Sequence, residues 1–129
     1  FLDRIARRLP SLNIIGAHFG NPWYEEAAEL ARMHPNVFFD ITGSTMKRQK
    51  PEYIGGLFWW SDKTLYKSPK WDSPWRQILF GTDVVPDMYY DIVNDYDNLL
   101  TTLDVPEHLQ NAVYYENGAA ILRAAGVKI

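Results

Sequence analysis

Three short apolar segments, at residues 12–18, 37–41 and 77–83, lack the regular polar alternation of a half-exposed strand. Such runs are typical of strands that are buried on both faces, as in parallel sheets. Apolar spacing and boundary residues together predict helices at residues 1–9, 22–33, 52–60, 88–103 and 118–125, and one more short helix that starts at Pro106. Strands that alternate with helices in this order predict a parallel α/β sheet.

The predicted helix boundaries rest on a few residue types. Asn21 is expected to cap the second helix, with Pro22 in its first helical position. His34 is expected at the end of that helix, where it would cap the backbone or interact with the helix dipole. Asn117 is expected to cap the last helix, and Gly126 to terminate it.

The chain shows no internal repeat or linker, so residues 1–129 are predicted to be a single domain or part of one. Residues 45–76 are an irregular, tryptophan-rich insert between the second and third strands. Three parallel strands cannot close a barrel, and a complete (β/α)₈ barrel needs roughly 250 residues. The chain is therefore either a small open α/β domain or the C-terminal portion of a larger one. The helical pattern that is already under way at Phe1 favours the second interpretation, with an N-terminal part missing.

Charge and composition exclude several classes of partner. Thirteen basic and 16 acidic residues give a net charge of −3, and no basic run indicates nucleic acid or anionic lipid as a partner. The absence of cysteine excludes disulfides and thiolate metal sites, and it is compatible with a cytoplasmic location. No apolar run is long enough to predict a membrane span. A small-molecule substrate is the expected partner, and a homo-oligomer is compatible with the sequence.

Two of the predicted strands end in a residue that can bind metal or move protons, His18 and Asp83. In parallel α/β folds the sites form at the carboxyl ends of the strands, so both residues are expected at the same rim. Imidazole and carboxylate are ligands for Zn²⁺, and they can equally form a general acid/base pair. The alternative is structural, with a hydrogen-bonded histidine at a strand end and a turn-forming aspartate. Zinc normally takes at least three protein ligands, so this pair alone is not a complete site.

Other side chains near the predicted rim are candidates for contact with a substrate. Trp59 and Trp60 in the insert are candidate stacking residues for a flat substrate, or for a subunit interface, and packing under a long loop is their alternative role. Asp40 is a candidate second-layer or substrate-contacting group, with a buried structural carboxylate as the alternative. Thr42 and Ser44 are candidate substrate donors, which turn chemistry explains as well.

Several motifs resemble the amidohydrolase-related family, in the branch that includes aminocarboxymuconate-semialdehyde decarboxylase and resorcylate-type decarboxylases. The resemblance rests on five segments in order: IIGAHFGNPW at residues 14–23, EEAA at 25–28, HPNVFFD at 34–40, ILFGTD at 78–83 and ENGAAIL at 116–122. It covers most of the chain except the tryptophan-rich insert. It implies that the three strands are strands six, seven and eight of a TIM-type (β/α)₈ barrel.

The resemblance also implies a metal-dependent activity. In the family, the histidine that matches His18 lies beside the metal and moves a proton or binds metal, and the aspartate that matches Asp83 binds metal. A divalent ion, zinc or manganese, is the implied cofactor. The family's His-x-His pair and strand-five histidine have no counterpart in these residues and are expected in a missing N-terminal part.

The implied reaction is hydrolysis or nonoxidative decarboxylation of a small carboxylate, amide, ester or lactone. A noncatalytic ligand-binding or structural relative that uses the tryptophan-rich insert is the alternative.

Overall fold

Three parallel strands form one sheet in the order β1–β2–β3, in a computed structural model that describes residues 1–43, 49–61 and 73–129. The strands are β1 Ile14–Gly16, β2 Val37–Asp40 and β3 Ile78–Leu79. Ile14 pairs with Val37, and Phe39 pairs with Ile78, so β2 is the central strand. The parallel sheet predicted from the apolar runs is confirmed.

The two outer strands are shorter than predicted, and each pairs with β2 among the residues that the structure describes. β1 ends at Gly16, since the chain turns into a 3-10 segment at Ala17–Gly20. Gln77, predicted as the first residue of the third strand, lies instead in the 3-10 turn Pro74–Gln77. Its side-chain amide nitrogen lies 2.7–2.9 Å from the carbonyl oxygens of Ala31, His34 and Val37, which share its two hydrogens. These contacts hold the start of β3 against the end of the helix Tyr24–Met33 and the start of β2.

The predicted helices are all present, with different boundaries. They are α1 Leu2–Arg8, α2 Tyr24–Met33, α3 Pro51–Leu57, α4 Tyr89–Thr102, α5 Glu107–Asn111 and α6 Asn117–Ala124, with a π-helical segment at Ala112–Glu116 and a 3-10 turn at Pro86–Met88.

Two of the predicted caps are wrong. Trp23, not Asn21, occupies the cap position of α2, because the turn after β1 delays the helix to Tyr24. Asn117 is buried inside continuous helical backbone, and its amide donates to the carbonyl oxygens of Trp75 and Ile78, both at 2.8 Å. A tertiary contact to the start of β3 thus takes the place of capping. Gly126 follows α6 with a φ of +84°, as expected for a terminating glycine.

The sheet has two different faces. On one face, Val37, Phe39 and Ile78 are buried in the core beneath the helices. On the other face, Ile15 is 54% exposed. Pairing places Ile15 beside Phe38, and Asp40 beside Leu79, on that second face. Asp40, one of the candidate residues, therefore lies on the open face of the sheet.

Among the helices in the described ranges, none is both long and apolar enough to cross a lipid bilayer.

Candidate active site

His18 lies just past the end of β1 in a left-handed backbone conformation, with φ 55° and ψ 34°. Its backbone N–H donates to Oδ1 of Asp40 at 3.0 Å, which ties the turn to the end of β2. The strand before it needs a glycine, because a Cβ at Gly16 would lie 2.4 Å from the ring of Phe39. The imidazole is left partly exposed at the carboxyl edge of the sheet.

Asp83 follows β3 by four residues and reaches the same edge. Its φ of 47° also lies in the left-handed region, and its side chain is 64% exposed. Its Oδ2 is 3.5 Å from Nε2 of His18. The two residues singled out at separate strand ends thus lie side by side across β2.

Thr42 connects His18 to Asp40. The Thr42 Oγ1 lies 2.8 Å from Nδ1 of His18 and donates to Oδ1 of Asp40 at 2.5 Å. Its backbone N–H donates to the same oxygen at 3.0 Å. Asp40 is therefore a partly buried carboxylate that binds the turns after both β1 and β2. This contact pattern agrees with the structural role that was the alternative for Asp40.

Gly43 lies against the pair and was assigned no role from the sequence. A Cβ at this position would be 3.2 Å from Nδ1 of His18 and 3.7 Å from Oδ2 of Asp83, and its φ is +62°. Its position two residues after the second apolar run was the signal available, since a glycine near a strand end often marks a close approach.

His18 and Asp83 have the donor types and spacing of two neighbouring metal ligands. Histidine nitrogen and carboxylate oxygen each bind tetrahedral zinc at about 2.0–2.2 Å, which places two such ligands about 3.4 Å apart. The observed separation is 3.5 Å. Within residues 1–43, 49–61 and 73–129, no group of three or more histidine and carboxylate side chains could hold a metal ion. The pair therefore fits part of a metal site and is not a complete one.

The two candidate tryptophans lie elsewhere in the fold. The Trp59 indole N–H donates to Glu29 at 3.2 Å, and the Arg32 guanidinium lies 5.2 Å from the ring centre. Both partners belong to the later half of α2, which runs back from the carboxyl ends of the strands. Trp60 is only 5% exposed and packs beside Phe58. None of these contacts involves the His18–Asp83 pair.

Part of the insert, with Ser44 and Trp71, lies outside the described residues. A substrate role for Ser44 therefore stays a prediction.

His34 occupies the C-cap position of α2, and its imidazole joins α1 to that helix end. Its Nε2 lies 2.8 Å from Oδ1 of Asp3. Hydrogen bonds from His34 and then from Arg7 hold the pKa of the Asp3 carboxyl below its ordinary value. His34 is therefore a structural residue away from the candidate site.

The sequence profile of a family described as amidohydrolase matches residues 1–124. No curated protein and no solved structure shows significant similarity to the chain.

Proposed function

The chain belongs to the amidohydrolase family, and on that premise we propose that it contributes His18 and Asp83 to the active site of a metal-dependent hydrolase or nonoxidative decarboxylase. The superfamily contains hydrolases and lyases and generally uses divalent metals. The proposed substrate is a small carboxylate, amide, ester or lactone. The proposal includes a TIM-type barrel in which β1, β2 and β3 are strands six to eight, and membership of the decarboxylase-containing branch.

One observation carries the proposal, the 3.5 Å separation between His18 Nε2 and Asp83 Oδ2. The residues are 65 positions apart in sequence and come from different strands, yet both side chains are aimed at one point of the carboxyl edge. Active sites of parallel α/β enzymes form at this edge. Acid/base or metal chemistry requires such convergence of an imidazole and a carboxylate.

Each residue has a proposed role. Asp83 holds a divalent ion, zinc or manganese, because its carboxylate is well exposed at the edge. A metal bound here supplies an acidified water molecule and polarises a carbonyl or carboxylate group. His18 accepts or delivers the proton at Nε2, and direct metal binding by His18 is its alternative role. The remaining ligands come from residues other than the described ones.

A noncatalytic ligand-binding role is the second candidate, and the 39% exposure of Trp59 is the observation that favours it. A flat ligand could stack on this indole, whose orientation is fixed by Glu29 and Arg32. The buried ring of Trp60 packs against Trp59 in a T-shaped arrangement, with the ring centres 5.9 Å apart. Ligand binding that survives His18→Ala but is lost in Trp59→Ala would favour this function over the first.

Metal content of the purified protein, prepared with the residues that supply the remaining ligands, tests the first proposal. Elemental analysis after reconstitution should find near-stoichiometric zinc or manganese in the wild type and a strong loss in Asp83→Ala. Asp87→Ala is the matched control, because Asp87 is an exposed carboxylate close by in the 3-10 turn before α4. Asp87→Ala should keep its metal. A wild type that binds none, or an Asp83→Ala variant that binds as much as the wild type, would contradict the proposal.

A further inference from the structure

Asp40, Thr42 and His18 form a continuous chain of hydrogen bonds that ends at the candidate site. Oδ1 of Asp40 accepts bonds from two backbone N–H groups, those of His18 and Thr42, both at 3.0 Å. The same oxygen lies 2.5 Å from the Thr42 hydroxyl. The hydroxyl lies 2.8 Å from His18 Nδ1. Thr42 is only 2% exposed, so bulk water does not compete for its hydroxyl.

Counting donors and acceptors assigns the protons along this chain. The Asp40 oxygen already accepts two N–H bonds, so it faces Thr42 as an acceptor and the hydroxyl must donate to it. A hydroxyl has a single hydrogen, so the Thr42 oxygen can only accept from the imidazole. Nδ1 of His18 must therefore carry a proton. In the neutral ring, Nε2 is then the nitrogen with the lone pair.

We propose that Asp40 and Thr42 are positioning residues that hold His18 in its Nδ1–H tautomer and direct the Nε2 lone pair at Asp83. Nε2 is the nitrogen 3.5 Å from Asp83 Oδ2. Two lone-pair groups that face each other at this distance repel unless a proton or a cation lies between them. This chain of hydrogen bonds, the Asp40–Thr42–His18 relay, thus favours a proton or a metal ion between His18 and Asp83. The inference rests on the proposed function only where the lone pair is given a role in proton transfer or metal binding.

The tautomer is read directly from long-range ¹H–¹⁵N correlation spectra of the histidine rings. The spectra are recorded on metal-free protein at about pH 9, where imidazole is ordinarily neutral. Loss of signals in His18→Gln assigns the His18 ring among the three histidines. We expect a protonated Nδ1 and an unprotonated Nε2 in the wild type. A wild-type His18 ring with its proton on Nε2 would overturn the inference.

Three variants test the cause. Thr42→Val keeps the shape but removes the hydroxyl, and the ring should change to the Nε2–H form that imidazole side chains prefer in water. Thr42→Ser keeps the hydroxyl and should restore the wild-type pattern. Thr101→Val removes a hydroxyl from an exposed position on α4 and should change nothing. A Thr42→Val protein that keeps the Nδ1–H pattern would show that Thr42 does not set the tautomer.

The spectra separate this inference from the proposed function, because neither activity nor metal is needed to record them. Once a substrate is identified, Thr42→Val should lower kcat by about 10- to 100-fold, the usual effect of losing the outer hydrogen-bond partner of a histidine in a metal site. KM should change little, since Thr42 is too buried to touch substrate. Thr42→Ser should recover most of kcat. Equal kcat in Thr42→Val and wild type would contradict the positioning role.

Discussion

His18 and Asp83 share an uncommon backbone conformation. Both have φ near +50°, as do only Phe19 and Asp104 among the other non-glycine residues in the described ranges. Left-handed backbone at a non-glycine residue costs on the order of 1 kcal/mol and persists where the surroundings enforce it. Here it turns each strand end so that the imidazole and the carboxylate meet. The strained backbone thus positions the two side chains of the candidate site.

At Gly43, replacement by alanine should damage the fold and the site together. The new Cβ would lie 3.2 Å from His18 Nδ1 on backbone with φ +62°, so we expect a loss of about 1–3 kcal/mol in the free energy of unfolding. The His18 ring signals should also shift. Urea denaturation and the ring spectra measure the two effects.

Gly56→Ala is the matched control for that prediction. A Cβ at Gly56 meets nothing within 4 Å, and the residue lies inside α3, where alanine is favoured by up to about 1 kcal/mol. The control should be as stable as the wild type or more stable. A Gly43→Ala variant that matches it would contradict the crowding argument.

At the residue scale, the sequence predicted the two strand-end side chains, His18 and Asp83, but not the residues that hold them in position. His18 and Asp83 follow apolar runs, and parallel topology alone brings such ends to one edge. The relay through Thr42 depends on the register between β1 and β2 and on the left-handed turn at His18. Neither feature leaves a mark in local composition, so Thr42 was a candidate substrate donor or turn residue, and its contacts with His18 and Asp40 were not predicted.

At the scale of elements, the sequence predicted which helices and strands exist better than where they end. Apolar periodicity reports burial, which the helices and the sheet share. The ends depend instead on side-chain contacts between distant elements, such as Gln77 on the end of α2 and Asn117 on the start of β3. In sequence, Gln77 and Asn117 resemble a strand-start and a cap residue. Only the tertiary structure shows that they bind backbone carbonyls of distant elements.

Tyr96 of α4 joins the ends of β2 and β3, so its hydroxyl should matter for stability. The buried hydroxyl accepts from the Ile41 N–H and donates to the Leu79 carbonyl, both at 3.1 Å, and burial raises the pKa of this tyrosine. Tyr96→Phe should lower the free energy of unfolding by about 1–3 kcal/mol, because two buried backbone groups lose their partner. Urea denaturation checks this. Tyr90→Phe, at a position that is 76% exposed, should be neutral, and equal losses in both would argue against the link.

At the scale of the whole molecule, the helices cover one face of the sheet, while the other face and the outer edge of β1 carry exposed apolar side chains. Ile15 is 54% exposed on the open face, and Leu12 just before β1 is 47% exposed. An unpaired parallel edge strand with apolar flanks is a template for contact with another chain. The described part of the molecule is therefore poised to associate through β1.

We expect the purified chain to self-associate as its concentration rises, and Ile15→Lys to weaken that association. A lysine on the open face removes apolar contact area and adds a charge that disfavours edge-to-edge pairing. Sedimentation velocity over a concentration series measures the effect. Leu122→Lys is the control, since Leu122 is comparably exposed at 46% but lies on α6, away from β1. If the wild type stays monomeric throughout, or if both variants lower association equally, the open face is not what drives it.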